Sequence, residues 1–271
     1  DFLRFEGNAQ TIRLLTRLQI LNDDYGLNIT CGTLAALMKY PTSSDSISKD
    51  NVSKKKHGYF QSEKRIVQEV WEETGLKEGV RHPLTYIMEA SDDIAYSVLD
   101  TEDAVKKGLV SYSDLVSYLE HYCEADKTIQ QVIERTSEKH KEDRKEILSP
   151  AELNDISMQL FRVYSISAMV QDVRDAYEQN IGKMMCGRVT RDLIGVSNSE
   201  KLCKLLKKFD REHAYKHRSV LEVELIGYNT ISKLMDYFWK AIKYNDRSDI
   251  DDENINIDKP EPGRFNCLFL C

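Results

Sequence analysis

One run constrains the fold more than any other: Arg81-His-Pro-Leu-Thr-Tyr-Ile-Met-Glu-Ala-Ser-Asp-Asp-Ile-Ala-Tyr-Ser-Val-Leu-Asp100. Pro83 suits the first turn of a helix because its φ is already fixed near the helical value. No Gly or Pro then interrupts the chain until Gly108. At 3.6 residues per turn, Asp92, Tyr96 and Asp100 share one face. Leu84, Ile87, Met88, Ala95, Val98 and Leu99 cover much of the remaining surface, so the helix is expected to be buried. A buried carboxylate without a partner is costly. Two aspartates flanking a tyrosine on such a helix therefore call for a cation carrying a polar ligand, or for Arg and Lys pairings inside an ordinary helical bundle. Spacing alone leaves both open.

The other segments that carry a regular pattern are also mostly helical. Apolar periodicity predicts helices over 5–22, 32–40, 61–74, 83–99 with a further turn or two to 108, 113–123, 126–140, 198–212 and 226–244. Ser149-Pro-Ala-Glu152 is a capping box that opens a helix reaching about 185, long enough that a kink or break is expected. Only Val220–Leu225 alternates like a strand. The expected fold class is all-α, a mainly helical bundle with at most a short β segment near 220–225.

Residues 42–57 lack periodicity and read as a mobile loop. Its Lys54-Lys55-Lys56 cluster is either a solvated patch or a phosphate-binding lid. After 245 the composition turns acidic and loop-like.

At 271 residues and 41% hydrophobic, the chain can build a substantial core. No apolar run approaches the ~20 residues of a membrane span. A net charge of −7 excludes broad electrostatic attraction to nucleic acid or an anionic membrane. Cys31, Cys123, Cys186, Cys203, Cys267 and Cys271 show no zinc spacing and read as reduced thiols, the expectation for a cytoplasmic protein.

Five ordered blocks carry a family resemblance: Phe5-Glu-Gly-Asn-Ala-Gln10, Leu37-Met-Lys-Tyr-Pro41, Lys56-His-Gly-Tyr-Phe-Gln-Ser-Glu63, Arg81-His-Pro-Leu-Thr-Tyr86, and Glu89-Ala-Ser-Asp-Asp-Ile-Ala-Tyr96 with Asp100-Thr-Glu-Asp103. Over about residues 4–245 the chain resembles the deoxyguanosine triphosphate triphosphohydrolases (dGTPases) of the HD superfamily. The resemblance implies hydrolysis of dGTP, and of other dNTPs, to deoxynucleoside and inorganic triphosphate at a divalent metal. Mg or Mn is expected, while Fe and Zn also suit mixed His/Asp sites. It divides the chain into the later part of an HD-type catalytic core (1–110, with lid loop 42–57), a helical C-terminal region (111–245) and an acidic loop and tail (246–271).

By the same resemblance, Asp92 is a metal ligand, and Tyr96 and Asp100 contact the deoxyribose. Lys39, Tyr40 and Lys56 face triphosphate and sugar, with Asn8 near the same pocket. Tyr215 and Glu224 help to form the guanine pocket. Homo-oligomers, hexamers or tetramers, are implied, with single-stranded DNA as an effector and no membrane association.

One departure matters. The family's histidines and its His-Asp dipeptide lie upstream of the Phe-Glu-Gly-Asn motif, and none of the six histidines here is followed by Asp. A single one of four metal ligands is matched and no catalytic histidine is assigned. The chain is therefore expected to be a fragment or split-gene part, inactive alone. A non-catalytic dNTP-binding regulatory subunit and an interaction-only bundle are the alternatives.

Overall fold

The structure, a computed structural model, describes residues 5–19, 26–145 and 147–245. The expected tail over 246–271, with Cys267 and Cys271, lies outside the described residues, as does the end of the helix expected over 5–22. The chain divides into two units, Asp1–Ala214 and Tyr215–Cys271. Among the described residues the structure is helical with no strand.

The first unit holds α1 (Gly7–Arg13), α2 (Cys31–Leu37), α3 (Lys64–Thr74), α4 (Pro83–Lys106), α5 (Tyr112–Tyr122), α6 (Lys127–Asp143), α7 (Pro150–Met185) and α8 (Glu200–Phe209). Short π-helical turns extend α1 over Leu14–Leu18 and α8 over Asp210–Ala214. Their boundaries follow local chemistry. His82 caps α4, its Nδ1 accepting from the Leu84 amide at 3.2 Å ahead of Pro83. Ser149 and Glu152 cap one another's amides at the start of α7. Gly75, at φ +68°, ends α3 in the left-handed conformation that glycine adopts without strain.

Two apolar cores result. The smaller joins Ile12, Leu34, Met38, Tyr59, Val67 and Val70 from α1, α2, α3 and the connecting segments. The larger packs Tyr86, Ala90, Ile94 and Val98 of α4 against α5, α6, α7 and α8. Helix α4 touches both, because Thr85 Oγ1 also donates to the Ala36 carbonyl at 2.8 Å.

Three expectations need correction. The 150–185 segment is one unbroken 36-residue helix. Its buried positions, Met158, Phe161, Ser165, Met169, Val173, Ala176 and Met184, continue along most of its length, so tertiary packing supports what an isolated helix would not. The strand expected at 220–225 is also helical: it lies inside α9 (Arg218–Asn245) in the second unit. The alternation there is short, while Leu221, Leu225, Tyr228, Ile231 and Met235 repeat at helical spacing, and Arg218 pairs with Glu222 one turn on at 2.7 Å.

Third, the mobile loop of 42–57 is tied down. Thr42, Ser53 and His57 are buried, Val52–Lys54 forms a 3-10 turn capped by Asn51, and the Val52 amide donates to Thr190 O at 3.3 Å.

Phe161 is wholly buried in the larger core. Phe161→Ala is expected to cost about 3–5 kcal/mol, read from the urea unfolding midpoint at constant m-value.

Candidate functional site

Helix α2 stops at Leu37, and Pro41 cannot rejoin it, so Lys39 and Tyr40 leave in irregular backbone with Met38 anchored in the smaller core. The segment 56–58 runs directly against them. A Cβ on Gly58 would lie 1.8 Å from the Tyr40 carbonyl oxygen, so only glycine permits this pass. The Gly58 amide then donates to Thr42 O at 3.0 Å.

The close pass gathers cations around one buried ring. Lys39 Nζ and Lys56 Nζ each lie 5.9 Å from the Tyr40 ring centroid, and Arg81 Cζ lies 5.8 Å from it. These distances are at the outer reach of cation–π attraction. Glu6 adds a counter-charge. It caps α1 through the Asn8 amide at 3.3 Å, accepts from Asn8 Nδ2 at 2.6 Å, and pairs with Lys56 Nζ at 3.0 Å. Burial pushes the Glu6 carboxyl up, but the hydrogen bonds from Asn8 and Lys56 outweigh it and hold the group below its usual value. The same bond to Glu6 raises Lys56. Asn8, Lys39, Tyr40 and Lys56, separated by up to 48 positions in sequence, thus meet in one cluster.

Two further members, Arg81 and Glu89, were not singled out in the sequence. Arg81 is 1% exposed. Its Nε donates to Lys39 O at 2.7 Å, Nη1 to Glu89 Oε2 at 2.5 Å, and Nη2 to Val52 O at 3.2 Å. The other Glu89 oxygen pairs with Lys39 Nζ at 3.3 Å. A signal existed: Glu89 falls beside Tyr86 and Ala90 on the core side of α4, where a carboxylate requires a cation.

Asp92, Tyr96 and Asp100 follow Glu89 at helical spacing, along the edge where the covered side of α4 gives way to the open one. The expectation of burial holds for one side of α4, where Val98 is wholly buried, and fails along this edge. Asp92 is exposed, Tyr96 is 61% exposed, and Leu84, Ile87 and Leu99 lie at the surface, because the core takes the opposite side of the helix. Asp100 is half-buried and has an interaction of its own.

Neighbouring acids are already engaged. Asp93 pairs with Lys207, and Glu102 takes Arg162 at 2.9 Å and Lys106 at 3.0 Å. Thr101 Oγ1 lies 2.9 Å from both oxygens of Asp210, a 1%-exposed carboxyl in the π turn after α8. Burial, opposed by the Thr101 bond and helped by nearby Asp100, pushes Asp210 up to about 7.

No group of three His, Cys, Asp or Glu side chains among the described residues could hold a metal ion. Asp92 by itself does not fit a divalent centre, which needs several ligands. Tyr215 and Glu224 lie in the second unit, both exposed, with Glu224 on α9.

Comparison with known proteins gives a consistent result. The chain is 34% identical over 246 residues to a deoxyguanosinetriphosphate triphosphohydrolase-like protein of Listeria monocytogenes, covering 91% of this chain and 52% of that protein. A protein of the same description from Synechocystis is 28% identical over 254 residues, 89% of this chain and 53% of the relative. A deoxyguanosinetriphosphate triphosphohydrolase of Yersinia pestis is 30% identical over 252 residues, 88% and 47%. The chain spans about half the length of these curated relatives. No family model matches it.

Two outcomes follow from the geometry. Gly58→Ala forces the 56–58 segment off Tyr40, and its cost is expected to be about 2–4 kcal/mol by urea unfolding. For Asp210, the folded carboxyl titrates near 7 and the unfolded one near 3.8. The native state therefore binds more protons between those values. This contribution is fully present below about pH 4 and is lost as pH rises to about 7. Asp210→Asn should remove that slope, so that its stability gain over wild type, measured by urea midpoint, is larger at pH 8 than at pH 5.

Proposed function

This chain belongs to the family of deoxyguanosinetriphosphate triphosphohydrolase-like proteins, and from that premise we propose that it forms the substrate-holding part of a dNTP triphosphohydrolase that prefers dGTP. The observation that carries the reading is the convergence of Asn8, Lys39, Tyr40 and Lys56 at the Glu89 end of the stripe bearing Asp92, Tyr96 and Asp100. A triphosphate concentrates several negative charges, and a chain of net charge −7 can bind one only where it gathers cations locally. Lys39 and Lys56 supply them. Asp100 lies eight residues from Asp92, about 12 Å along the helix axis. That span suits a deoxynucleoside with its α-phosphate.

In this reading Lys39, Tyr40 and Lys56 hold the triphosphate, with Asn8 beside them. Asp100 accepts a hydrogen bond from the sugar 3′-hydroxyl. Tyr96 occupies the space that a 2′-hydroxyl would need, which excludes ribonucleotides. Tyr215 and Glu224 contribute to the guanine pocket. The overall reaction adds water across the bond joining the nucleoside 5′-oxygen to the α-phosphorus and releases intact triphosphate. Asp92 is the carboxylate this chain would contribute to a divalent metal, Mg or Mn first and Fe or Zn next. The other ligands must come from outside the described residues, so a lone Asp92 is expected to leave the isolated chain inactive. Assembly into a homo-oligomer and response to single-stranded DNA belong to the same proposal.

A second reading, a dNTP-binding regulatory subunit without turnover, is favoured by one observation: Lys39 and Lys56 meet around Tyr40, while among the described residues no group of three ligand side chains forms around Asp92.

The test is triphosphate release from dGTP with Mn²⁺ or Mg²⁺, by this chain and by a version extended with its upstream gene sequence. The enzyme reading expects release by the extended protein only, reduced at least about 100-fold by Asp92→Ala. A dGTP-induced rise in Tm with no release from either protein would select the regulatory reading. Release by the short chain would overturn the claim that upstream ligands are required.

A further inference from the structure

The cluster around Tyr40 contains a buried cation that cannot itself reach a ligand. Arg81 is 1% exposed and its side chain is wholly enclosed, and each of its three nitrogens donates to a separate segment: the Lys39 carbonyl, the Val52 carbonyl and the Glu89 carboxylate. Those partners stand 42, 29 and 8 residues away. Lys39 comes from the end of α2, Val52 from the turn that leads into Lys54–Lys56, and Glu89 from α4. A planar guanidinium accommodates this set because its donors diverge at fixed angles, which an ammonium cannot copy.

The charges are arranged with equal economy. Lys39, Lys56 and Arg81 contribute three positive charges, while Glu6 and Glu89 contribute two negative ones. Glu6 answers Lys56. Glu89 is divided between Arg81 and Lys39, with the buried Arg81 at 2.5 Å and Lys39 at the longer 3.3 Å. Lys39 is thus left incompletely neutralised and 21% exposed, held in place but available to an anion.

We infer that the buried Arg81–Glu89 pair is the positioning device of a polyphosphate site, fixing the Lys39 backbone and holding the Lys39 ammonium where an incoming triphosphate can take it over. The inference rests on the triphosphate reading of Lys39 and Lys56 given above. Arg81 and Glu89 are positioning residues, acting on the ligand through Lys39 and touching none of it. The occupant of the site is an inorganic triphosphate group, whether free or attached to a nucleoside.

Calorimetric titration of the full chain with inorganic triphosphate at fixed ionic strength tests this without requiring turnover. Wild type should bind, and Lys39→Ala should weaken binding about tenfold, the loss of one charge-assisted contact. Arg81→Lys keeps the net charge but loses the fork, and should also weaken binding about tenfold. The decisive measurement is the double variant. If Arg81 acts through Lys39, Arg81→Lys with Lys39→Ala binds within about twofold of Lys39→Ala alone; independent effects would multiply.

Multiplying effects, or an Arg81→Lys variant that binds like wild type, would overturn the inference and leave the triphosphate reading standing. Absence of triphosphate binding by folded wild type would sink that reading and the inference with it. Where Arg81→Lys does not fold, Glu89→Gln replaces it in the same cycle. Its effect on affinity, of either sign, should vanish in the Lys39→Ala background, and persistence of the effect there would overturn the inference.

Discussion

A guanidinium enclosed in protein must have its donors satisfied, because an ion removed from water without partners is strongly destabilising. Arg81 meets that demand with two main-chain carbonyls and one carboxylate drawn from three segments. The arrangement settles where the chain leaving α2 can run, where the turn at Val52–Lys54 can sit, and how both register against α4. Gly58 supplies the matching allowance, since the Tyr40 carbonyl occupies the place any Cβ would take. Together they fix the placement of Lys39, Tyr40 and Lys56.

The two sides of α4 divide the labour. Toward the protein, its polar groups are locked: Glu89 by Arg81, Asp93 by Lys207, Thr101 by Asp210, Glu102 by Arg162. They tie the helix to the segment before it, to α7, and to α8 with its π turn. Toward solvent, Asp92 and Tyr96 stand open, with Leu84, Ile87 and Leu99 beside them. A helix held this firmly from behind can present its front without moving. That is the condition for a site in which ligand contacts must be placed in advance.

Much of this was legible from residues alone. Pro83 in the first turn of α4 and the Ser149–Glu152 capping box each carry their meaning within a few positions, and each does in the structure what its type and spacing foretold. The grouping of Asn8, Lys39, Tyr40 and Lys56 came from the resemblance of ordered motifs, and periodicity gave no hint of it. The alternation at 220–225 misled because five or six residues cannot distinguish a period of two from a fragment of a longer helical pattern. The length of α7 misled because propensity omits the neighbours along its flank.

The sequence by itself determined which residues share a face, where helices begin and end, and that the chain is helical, because those depend on backbone sterics and hydrogen bonds within a turn or two. Only the tertiary structure decided which face of α4 is covered, how Arg81 reaches Lys39 and Val52, and why Asp210 stays protonated toward neutrality. Those outcomes depend on burial and on partners tens of residues away. A local pattern states that Glu89 and Asp92 lie one turn apart. Which of them is buried, and what it meets there, is set by the packing of segments the pattern does not contain.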